Sequence, residues 1–442
     1  MSIAARLDRL PLGRFHWKLM VVTGFAWLFN SFNVAMASFT LALVIAQWKL
    51  TPTQGGLITS AQVMGMVVGA AGIGNFSDRY GRKLALELTL LIFGLATGLG
   101  ALIDNYAAFT ALRFVAGIGL GGMLPALTTL VSEFSPSRRR GALVVIMDGF
   151  WAFGLIFAAT VAYLMVPTIG WQAAFGVGAL PTLYGIIFWW TTPESPRFLI
   201  ERGKYLQAEK MLQRIEDGYS RELPAVADTD QIQPSAVANA RLGELWTRTF
   251  RRRTISIWTA NFCLVFTYYG VFIWLPAILV AAGYPVGEVL LFMIYMALAQ
   301  VPAKVLAAFL IESVGRKPVI ISFSLLYALS TFLLGQAGDA SAIILWGCTL
   351  SFVNAVVWGP IMAYTAESYP TRARSTGAGA AAAFSRVGGM LGPLVTGFLL
   401  STLKGNQSAI FAVFAGSMIL SALVVWALGE ETRGRSLEEI AV

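Results

Sequence analysis

The feature that most constrains this 442-residue chain is a series of apolar stretches, each long enough to cross a membrane. About 20 apolar residues span the hydrocarbon core of a bilayer as an α-helix. Ten-residue segments of alternating polarity, which are typical of membrane β-barrels, are not seen. The sequence therefore predicts an all-α membrane protein with twelve transmembrane spans. In order, spans 1 to 12 cover residues 19–47, 54–76, 84–103, 106–131, 141–166, 172–192, 255–282, 287–311, 318–337, 341–366, 375–402 and 407–429.

Composition and charge agree with this class. The chain is 57% hydrophobic and 12% charged, whereas soluble domains are about a quarter charged. The net charge of +9 does not indicate nucleic acid, because 27 of the 32 Lys and Arg residues lie in the termini and after even-numbered spans. This positive-inside bias predicts a multi-pass protein of the cytoplasmic (inner) membrane with both termini in the cytoplasm.

No motif in the sequence indicates an enzyme. Cys263 and Cys348 both lie in spans and suggest neither a disulfide nor a metal site. The glycines at 117, 119 and 121 lie within a predicted helix, whereas a phosphate-binding loop would follow a strand. We therefore predict no catalytic residues, no metal and no cofactor. The expected partners are a small ligand and the lipid bilayer, with the chain acting as a monomer.

Two loop motifs recur with the same spacing. The segment from Asp78 to Lys83 returns at 312–317, and the segment from Glu133 to Arg138 returns at 367–372, each after 234 residues. One offset shared by two motifs indicates duplicated six-helix halves. The predicted domains are residues 1–193, a cytoplasmic linker over 194–254, and residues 255–442.

Several motifs resemble those of the major facilitator superfamily, and the resemblance covers nearly the whole chain. They are Gly74-x-x-x-Asp78-Arg79-x-Gly81-Arg82-Lys83, Arg113-x-x-x-Gly117-x-Gly119-x-Gly121 and, as in its sugar-porter branch, Pro193-Glu194-Ser195-Pro196-Arg197 and Glu431-Thr432-Arg433-Gly434. The resemblance implies two pseudo-symmetric six-helix bundles and transport by alternating access.

Acids at helix ends beside Arg-rich turns fit latches that hold one bundle against the other. Alternatively, they are topology determinants with surface ion pairs worth about 0–1 kcal/mol each. The predicted pairs are Asp78–Arg82, Glu133–Arg138, Glu312–Arg316 and Glu367–Arg372, and the predicted gating residues are Asp78, Arg79, Arg82, Arg113, Glu133, Arg138, Glu312, Arg316, Glu367 and Arg372.

Lys304 in span 8 and Arg386 in span 11 are cations inside apolar stretches. A charge at the bilayer centre costs roughly 2.5–3.5 kcal/mol on insertion scales, so it normally faces a partner or a water-filled cavity. Both positions map onto alanines in the other half, as does Asp148 in span 5. This asymmetry favours recognition of an anionic ligand. The alternative is that the cations snorkel or pair with Asp148.

A closer resemblance is to the organic anion transporters. It rests on Pro302-Ala303-Lys304, Tyr268-Tyr269-Gly270 and Ser385-Arg386-Val387-Gly388. It implies that Lys304 and Arg386 recognise the anion. The compact form, in which residues 48–53 alone join spans 1 and 2, resembles bacterial carriers of nicotinate or aromatic acids, which are themselves similar to synaptic vesicle glycoproteins.

Aromatic faces and amides complete the predicted site, although aromatic residues in spans often serve packing alone. The predicted substrate-binding residues are Arg386, Lys304, Tyr268, Tyr269, Asn33, Asn30, Trp151, Gln300 and Trp358, and the predicted proton carrier is Asp148. The predicted function is proton-coupled transport of an aromatic monocarboxylate such as nicotinate. The alternatives are uniport or exchange of organic anions, or a sugar or sugar-acid porter. Related aromatic-acid symporters carry acids in helix 1, where this chain has Asn30 and Asn33.

Overall fold

A computed structural model describes residues 3–136, 139–219, 242–248, 250–403 and 406–433, except for the side chains of 3–5, 371, 372, 374 and 375. Twelve helices long and apolar enough to cross a membrane occur in this part of the chain, which confirms the predicted class. They are α1 Arg14–Gln47, α2 Pro52–Tyr80, α3 Arg82–Gly100, α4 Tyr106–Phe134, α5 Arg140–Ile169, α6 Trp171–Thr191, α7 Arg251–Ala281, α8 Val286–Ser313, α9 Arg316–Leu334, α10 Ala340–Glu367, α11 Thr371–Thr402 and α12 Gln407–Leu428. Shorter helices are Ile3–Asp8, Pro196–Glu201, Tyr205–Glu216 and a 3₁₀ turn at Leu242–Trp246.

The starts of the helices follow two chemical patterns. At α4, α10 and α12 the side chains of Asn105, Asp339 and Asn406 accept hydrogen bonds from main-chain N–H groups of the first turn, as N-caps do. At α3 and α9 the preceding residues are Gly81 and Gly315, with φ of 111° and 113°. Residues that carry a side chain seldom adopt that backbone conformation, so these two helices begin at a turn that favours glycine.

The chain divides into two compact units. Unit 1 comprises Met1–Met36, Met64–Ala158 and Gln172–Ser235, and unit 2 comprises Ala37–Val63, Ala159–Trp171 and Ala236–Val442. Two segments of the N-terminal sequence half thus pack with the C-terminal helices, which differs from the boundaries at 193 and 254 drawn from the sequence. The division into duplicated halves stays a prediction about the sequence itself.

Hydroxyl groups link the first of these segments, Ala37–Val63, to the other helices of unit 2. Ser38 Oγ in α1 donates to the main-chain oxygen of Ile273 at 2.8 Å and lies 3.2 Å from that of Phe272 in α7. Ser60 Oγ in α2 donates to the oxygen of Met390 in α11 at 2.8 Å. Because Pro276 has no N–H, the oxygen of Phe272 lacks its usual helical donor, and Ser38 lies within reach to supply one.

In unit 1, small residues bring α4 close to its neighbours. A Cβ added at Gly121 would lie 2.1 Å from the main-chain oxygen of Met66 in α2, and one at Gly119 would lie 2.8 Å from that of Thr89 in α3. Small residues allow such close approach of membrane helices. The glycine motif of span 4 is thus required by packing.

Candidate functional site

The paired tyrosines of unit 2 lie where α7 changes from an α-helix to a π-helical turn, Tyr268–Phe272. Such turns often occur at functional sites. The turn is supported from α11, where Thr396 Oγ1 donates to the main-chain oxygen of Gly270 at 2.9 Å. The rings of Tyr268 and Tyr269 meet edge to face, with their centroids 5.3 Å apart. The interruption of α7 thus places two phenol groups side by side.

Tyr268 connects α7 to α10. Its ring meets that of the half-buried Trp358 edge to face, with centroids 5.9 Å apart. The structure therefore brings together Tyr268 and Trp358, both predicted from the sequence.

Arg386 lies beside the second tyrosine. It lies near Tyr269 and is half-buried. One turn further along α11, a Cβ added at Gly389 would lie 3.5 Å from Cδ2 of Tyr269, so this face of α11 packs on the tyrosine. A guanidinium in such a place can bind a carboxylate through two parallel hydrogen bonds.

Gln300 and Lys304 follow each other by one turn on α8. Gln300 is buried, and its Nε2 donates to Ser351 Oγ in α10 at 3.0 Å. Ser351 in turn donates to the main-chain oxygen of Met296 at 2.6 Å. Gln300 is thus part of the link between α8 and α10, while the half-buried Lys304 lies on the same side of α8.

These residues occupy a common depth in unit 2. Helices α8 and α9 are joined at Gly315, and we call that end of unit 2 the Gly315 side. Counted from the helix ends on that side at 1.5 Å per residue, they lie about 14–27 Å deep, as judged from the bounds of α7, α8, α10 and α11. This places the set, Tyr268, Tyr269, Gln300, Lys304, Trp358 and Arg386, in the middle part of the membrane helices.

The asparagines of α1 are engaged within unit 1. Asn30 Nδ2 donates to the main-chain oxygen of Leu120 at 2.9 Å. Asn33 accepts a hydrogen bond of 2.5 Å from Thr97, and its Nδ2 lies 3.4 Å from the main-chain oxygen of Gly178. Both amides are almost completely buried, so the structure assigns them to packing contacts of this unit, and their predicted role in binding substrate stays a prediction.

Arg113 belongs to the same buried network. It is fully buried, its Nη2 donates to Thr97 Oγ1 at 2.8 Å, and its guanidinium lies 4.6 Å from the ring centroid of Phe175. Within the described residues its Nε and Nη1 have no hydrogen-bond partner. Contact with the ring face offsets part of the cost of burying the cation. Sequence motifs had suggested gating for Arg113, and the structure places it in the interior of unit 1.

Trp151 and Asp148 are spaced three residues apart on α5, so they share one side of the helix. Both are half-buried. Trp151 packs against Trp27, with ring centroids 5.2 Å apart, and its main-chain oxygen accepts from Ser31 at 2.8 Å. The predicted aromatic and acidic residues of this half therefore lie together in unit 1.

The loop motifs form ion pairs that repeat across the two units. Arg82 contacts Asp78 at 3.3 Å, as predicted, and Glu133 at 3.1 Å. Arg316 contacts Glu367 at 2.8 Å. Each pair joins helices of one unit. The Arg82–Glu133 pair is shielded from water on both sides, whereas the side chain of Asp78 is 74% exposed.

Three predicted partners differ from this pattern. Arg138 and the side chain of Arg372 lie outside the described residues, and the acids assigned to them, Glu133 and Glu367, bind Arg82 and Arg316 across the helix interface instead. Glu312, the predicted partner of Arg316, is exposed. Arg79 is also exposed, and its main-chain oxygen accepts from Arg202.

Two glutamates that the sequence had marked only as motif residues turn out to cap helices. Glu194 accepts from the main-chain N–H of Arg82 at 2.9 Å. Glu431 accepts from that of Arg316 at 3.0 Å and from that of Lys317 at 2.9 Å. A carboxylate at a helix N-terminus is favoured by the free N–H groups and by the helix dipole. Their position directly after spans 6 and 12 was the available signal.

Asn354 in α10 and Tyr327 in α9 were missed altogether. Asn354 is 4% exposed and Tyr327 is 0% exposed. Within the described residues neither Asn354 Oδ1 nor the Tyr327 hydroxyl has a hydrogen-bond partner. Polar groups in a membrane span are costly unless paired, and this was the sequence signal that could have drawn attention to them.

Comparisons with known proteins agree with this architecture. A family model described as "Sugar (and other) transporter" matches residues 15–442. The niacin transporter NiaP of Acinetobacter baylyi is 38% identical over 443 residues and all of both chains. The synaptic vesicle 2-related protein of Rattus norvegicus is 28% identical, over 98% of this chain and 81% of that protein.

The solved structure of the xylose transporter XylE from E. coli, in a partially occluded inward open conformation, matches 96% of this chain and all of that chain. The TM-score is 0.77 and the identity 20%, so the likeness shows a shared fold. Two kinds of observation thus agree. The first is the set of twelve helices with their repeated motifs, and the second is the family model that matches nearly the whole chain. The chain belongs to the sugar (and other) transporter family and is a multi-pass membrane transporter with the major facilitator fold.

Proposed function

We propose that this protein carries a small aromatic monocarboxylate across the membrane by alternating access, with nicotinate as the leading candidate. The observation that carries the proposal is the half-buried Arg386 beside Tyr269 in the middle of α11. The full-length similarity to a niacin transporter supports the same ligand class.

The site chemistry of unit 2 suits a flat anion. Arg386 supplies a planar fork of N–H donors for a carboxylate. The rings of Tyr268, Tyr269 and Trp358 form a cluster against which an aromatic ring can stack. Lys304 adds a second positive charge on α8. A neutral sugar needs hydroxyl-binding amides and has no use for two cations, so these residues favour an acid over a sugar.

Arg386 is the residue to test first. Loss of a charged hydrogen-bond partner costs about 1.5–3 kcal/mol, so Arg386→Ala should weaken nicotinate binding roughly ten- to hundredfold, since each 1.4 kcal/mol is tenfold. Lys304→Ala should weaken it as well if Lys304 contacts the ligand. Arg252→Ala is the matched control, because Arg252 is an exposed cation of the same unit, at the start of α7.

The measurement is binding of nicotinate, xylose and an organic cation to the purified protein by calorimetry, followed by uptake into proteoliposomes. Retained nicotinate affinity in both Arg386→Ala and Lys304→Ala would return these residues to a structural role. Binding of xylose or the cation with no binding of any carboxylate would refute the proposed ligand class.

Proton coupling through Asp148 is the second part of the proposal. Asp148 lies half-buried in α5, one turn from Trp151, and an acid within a membrane span is by default a functional-site hypothesis, proton relay included. Proteoliposomes with an imposed proton gradient should accumulate nicotinate with wild-type protein, whereas Asp148→Asn should lose the effect of the gradient. Unchanged uptake by the variant at every pH would favour uniport or anion exchange.

We also infer that both termini face the cytoplasm, because basic residues cluster in the termini and after even-numbered helices. Fusions of alkaline phosphatase, which is active only outside the cytoplasm, give a direct test. A fusion after residue 433 should be inactive and one placed between α1 and α2 should be active. The reverse pattern would invert the assigned topology.

A further inference from the structure

The face of α11 that packs on α7 carries few side chains that could hold it in place. Phe384, Gly388 and Gly392 are spaced i, i+4 and i+8, so they lie above one another on one side of the helix. A Cβ added at Gly388 would lie 2.7 Å from the main-chain oxygen of Phe262, and one at Gly392 would lie 2.6 Å from that of Phe266. The two glycines let the main chains of α7 and α11 approach closely, but they offer no side chain that interlocks the helices.

Phe384 is the large side chain at one end of this smooth face. Between residues 375 and 385 no other side chain is larger than that of threonine. The ring of Phe384 stacks on that of Trp258 in α7, with centroids 5.0 Å apart and planes at 30°. It also meets the ring of Phe262, with centroids 5.4 Å apart. These two rings of α7 therefore hold this part of α11 against rotation.

Trp258 is itself held by the connector that precedes α7. The 3₁₀ turn Leu242–Trp246 packs on the start of α7, where Leu245 is fully buried and its main-chain oxygen accepts from Thr254 Oγ1 at 2.9 Å. The ring of Trp246 meets that of Trp258 edge to face, with centroids 5.4 Å apart. Ring contacts therefore continue without a break from the connector to α11.

We propose that an aromatic clamp, formed by Trp246, Trp258, Phe262 and Phe384, positions Arg386 for the carboxylate of the ligand. Phe384 is thus a positioning residue of the carrier, and the connector contributes to the ligand site through Trp246. This inference rests on the proposed function and extends it. Arg386 follows Phe384 by two residues on the same helix, so a rotation of α11 that displaces one side chain displaces the other.

The shape of the guanidinium makes its position critical. A helix with its side chains has a radius of about 5–6 Å, so a rotation of α11 by about 20° moves the end of a side chain by about 2 Å. Hydrogen bonds to a carboxylate require distances of about 2.7–3.2 Å, and the planar fork of arginine has to meet both oxygens. Lysine offers a flexible point charge, which tolerates such a displacement. Arginine and lysine at position 386 should therefore differ in their dependence on the aromatic clamp.

The experiment is calorimetric titration of the purified full-length chain with nicotinate. An aromatic pair contributes a factor of about two to twelve to an equilibrium constant, so Phe384→Leu should weaken nicotinate binding by that factor. Phe384→Tyr keeps the ring and should bind nicotinate like the wild type. In an Arg386→Lys background, Phe384→Leu should change the affinity by less than about twofold. Phe398→Leu is the matched control and should leave the affinity unchanged, because Phe398 lies on the same helix and is 58% exposed.

Trp246 tests the contribution of the connector independently. Its side chain lies outside the membrane helices and is 49% exposed, so Trp246→Leu should fold. The variant should weaken nicotinate binding by about twofold, because Trp258 loses one of the rings that hold it. Trp246→Phe preserves a ring at this position and should restore the wild-type affinity.

Two kinds of failure are distinguishable. If Phe384→Leu lowers thermal stability but leaves nicotinate affinity as in the wild type, the rings serve packing alone, and this inference is overturned while the proposed function stands. An equal loss of affinity in the wild-type and Arg386→Lys backgrounds overturns it as well, since the clamp would then not act through Arg386. Should Phe384→Leu fail to fold, Trp246→Leu decides by the same two comparisons. If the wild-type protein binds no carboxylate, the proposed function itself is refuted, and this inference with it.

Discussion

Replacing Gly81 by alanine should destabilise the protein far more than a loop substitution normally does. Gly81 precedes α3 with φ 111° and ψ 154°, a region that only glycine populates freely. A Cβ there would lie 2.2 Å from Oε2 of Glu194. That carboxylate accepts hydrogen bonds from the main-chain N–H groups of Arg82, at 2.9 Å, and Lys83, at 3.3 Å. The substitution therefore strains the backbone and displaces the cap of α3.

The two effects have separable magnitudes. A side chain in this backbone region costs about 1–3 kcal/mol. Loss of a helix N-cap costs about 0.5–2 kcal/mol. The free energy of unfolding should therefore fall by roughly 1.5–5 kcal/mol in Gly81→Ala. Gly203 also has a positive φ, of 71°, yet a Cβ there would meet nothing within 4 Å. Gly203→Ala should thus cost only the left-handed conformation, about 1–2 kcal/mol.

The assay is equilibrium unfolding of detergent-purified protein in increasing dodecyl sulfate, followed by tryptophan fluorescence. Gly81→Ala, Glu194→Ala and the double variant complete a cycle with the wild type. Since the cap is lost only once, the double variant should lose about 0.5–2 kcal/mol less than the sum of the single variants. Strict additivity, or a Gly81→Ala variant as stable as Gly203→Ala, would refute the reasoning.

Three further outcomes follow from contacts elsewhere. The pKa of Glu216 is held below its usual range, chiefly by the hydrogen bond from Arg6. The ionised carboxylate therefore stabilises the fold fully above about pH 4.3, and this stabilisation is lost as pH falls through the lowered pKa. Protection of residues 3–8 from hydrogen exchange should fall in acid, and Glu216→Gln should abolish that pH dependence. Ser38→Ala should lower the free energy of unfolding by about 1–3 kcal/mol by leaving carbonyls of α7 unpaired, whereas Ser38→Thr should preserve it. Gly270→Ala would place a Cβ 2.1 Å from Cε1 of Phe414 and should cost about 1–3 kcal/mol in the same unfolding assay, with partial recovery on adding Phe414→Leu.

The sequence sufficed for the class and topology of the fold because membrane helices are specified by long apolar runs. The length and apolar composition of a stretch do not depend on distant contacts, so the twelve spans were predicted to within a few residues. Span 7 was predicted as one helix. The π-helical turn at Tyr268–Phe272 was not foreseen. The hydroxyls of Ser38 and Thr396, which lie far away in sequence, donate to main-chain oxygens in and beside this turn.

Side-chain partners were the least predictable part of the site. The contact of Glu133 with Arg82, across the interface between two helices, was not predicted. The contacts of the Asn33 amide with Thr97 and Gly178 were likewise not predicted. Sequence alone suggests ion pairs and hydrogen bonds between neighbouring residues. In the folded protein the pairs are formed by the groups that helix packing brings within about 3 Å of each other.

The 234-residue repeat now separates two kinds of feature. The cap and ion pair at Gly81 recur at Gly315 with nearly the same backbone angles, and both units carry them. The interruption of α7 does not recur. Pro276, which deprives the oxygen of Phe272 of its helical donor, corresponds to Ala42 in α1, and α1 runs unbroken over Arg14–Gln47.

The residue of α1 that corresponds to Phe272 is Ser38, and it is the side chain that donates to the α7 carbonyls. At one position of the duplicated pair a main-chain oxygen lacks its helical donor, and at the other a hydroxyl lies within hydrogen-bonding reach of that oxygen. The turn in α7 is therefore stabilised from α1, beside the tyrosines that we assign to the ligand. In a transporter of this architecture, substitutions at Ser38 should alter ligand affinity as well as stability, since the same hydroxyl supports the turn that positions Tyr268 and Tyr269.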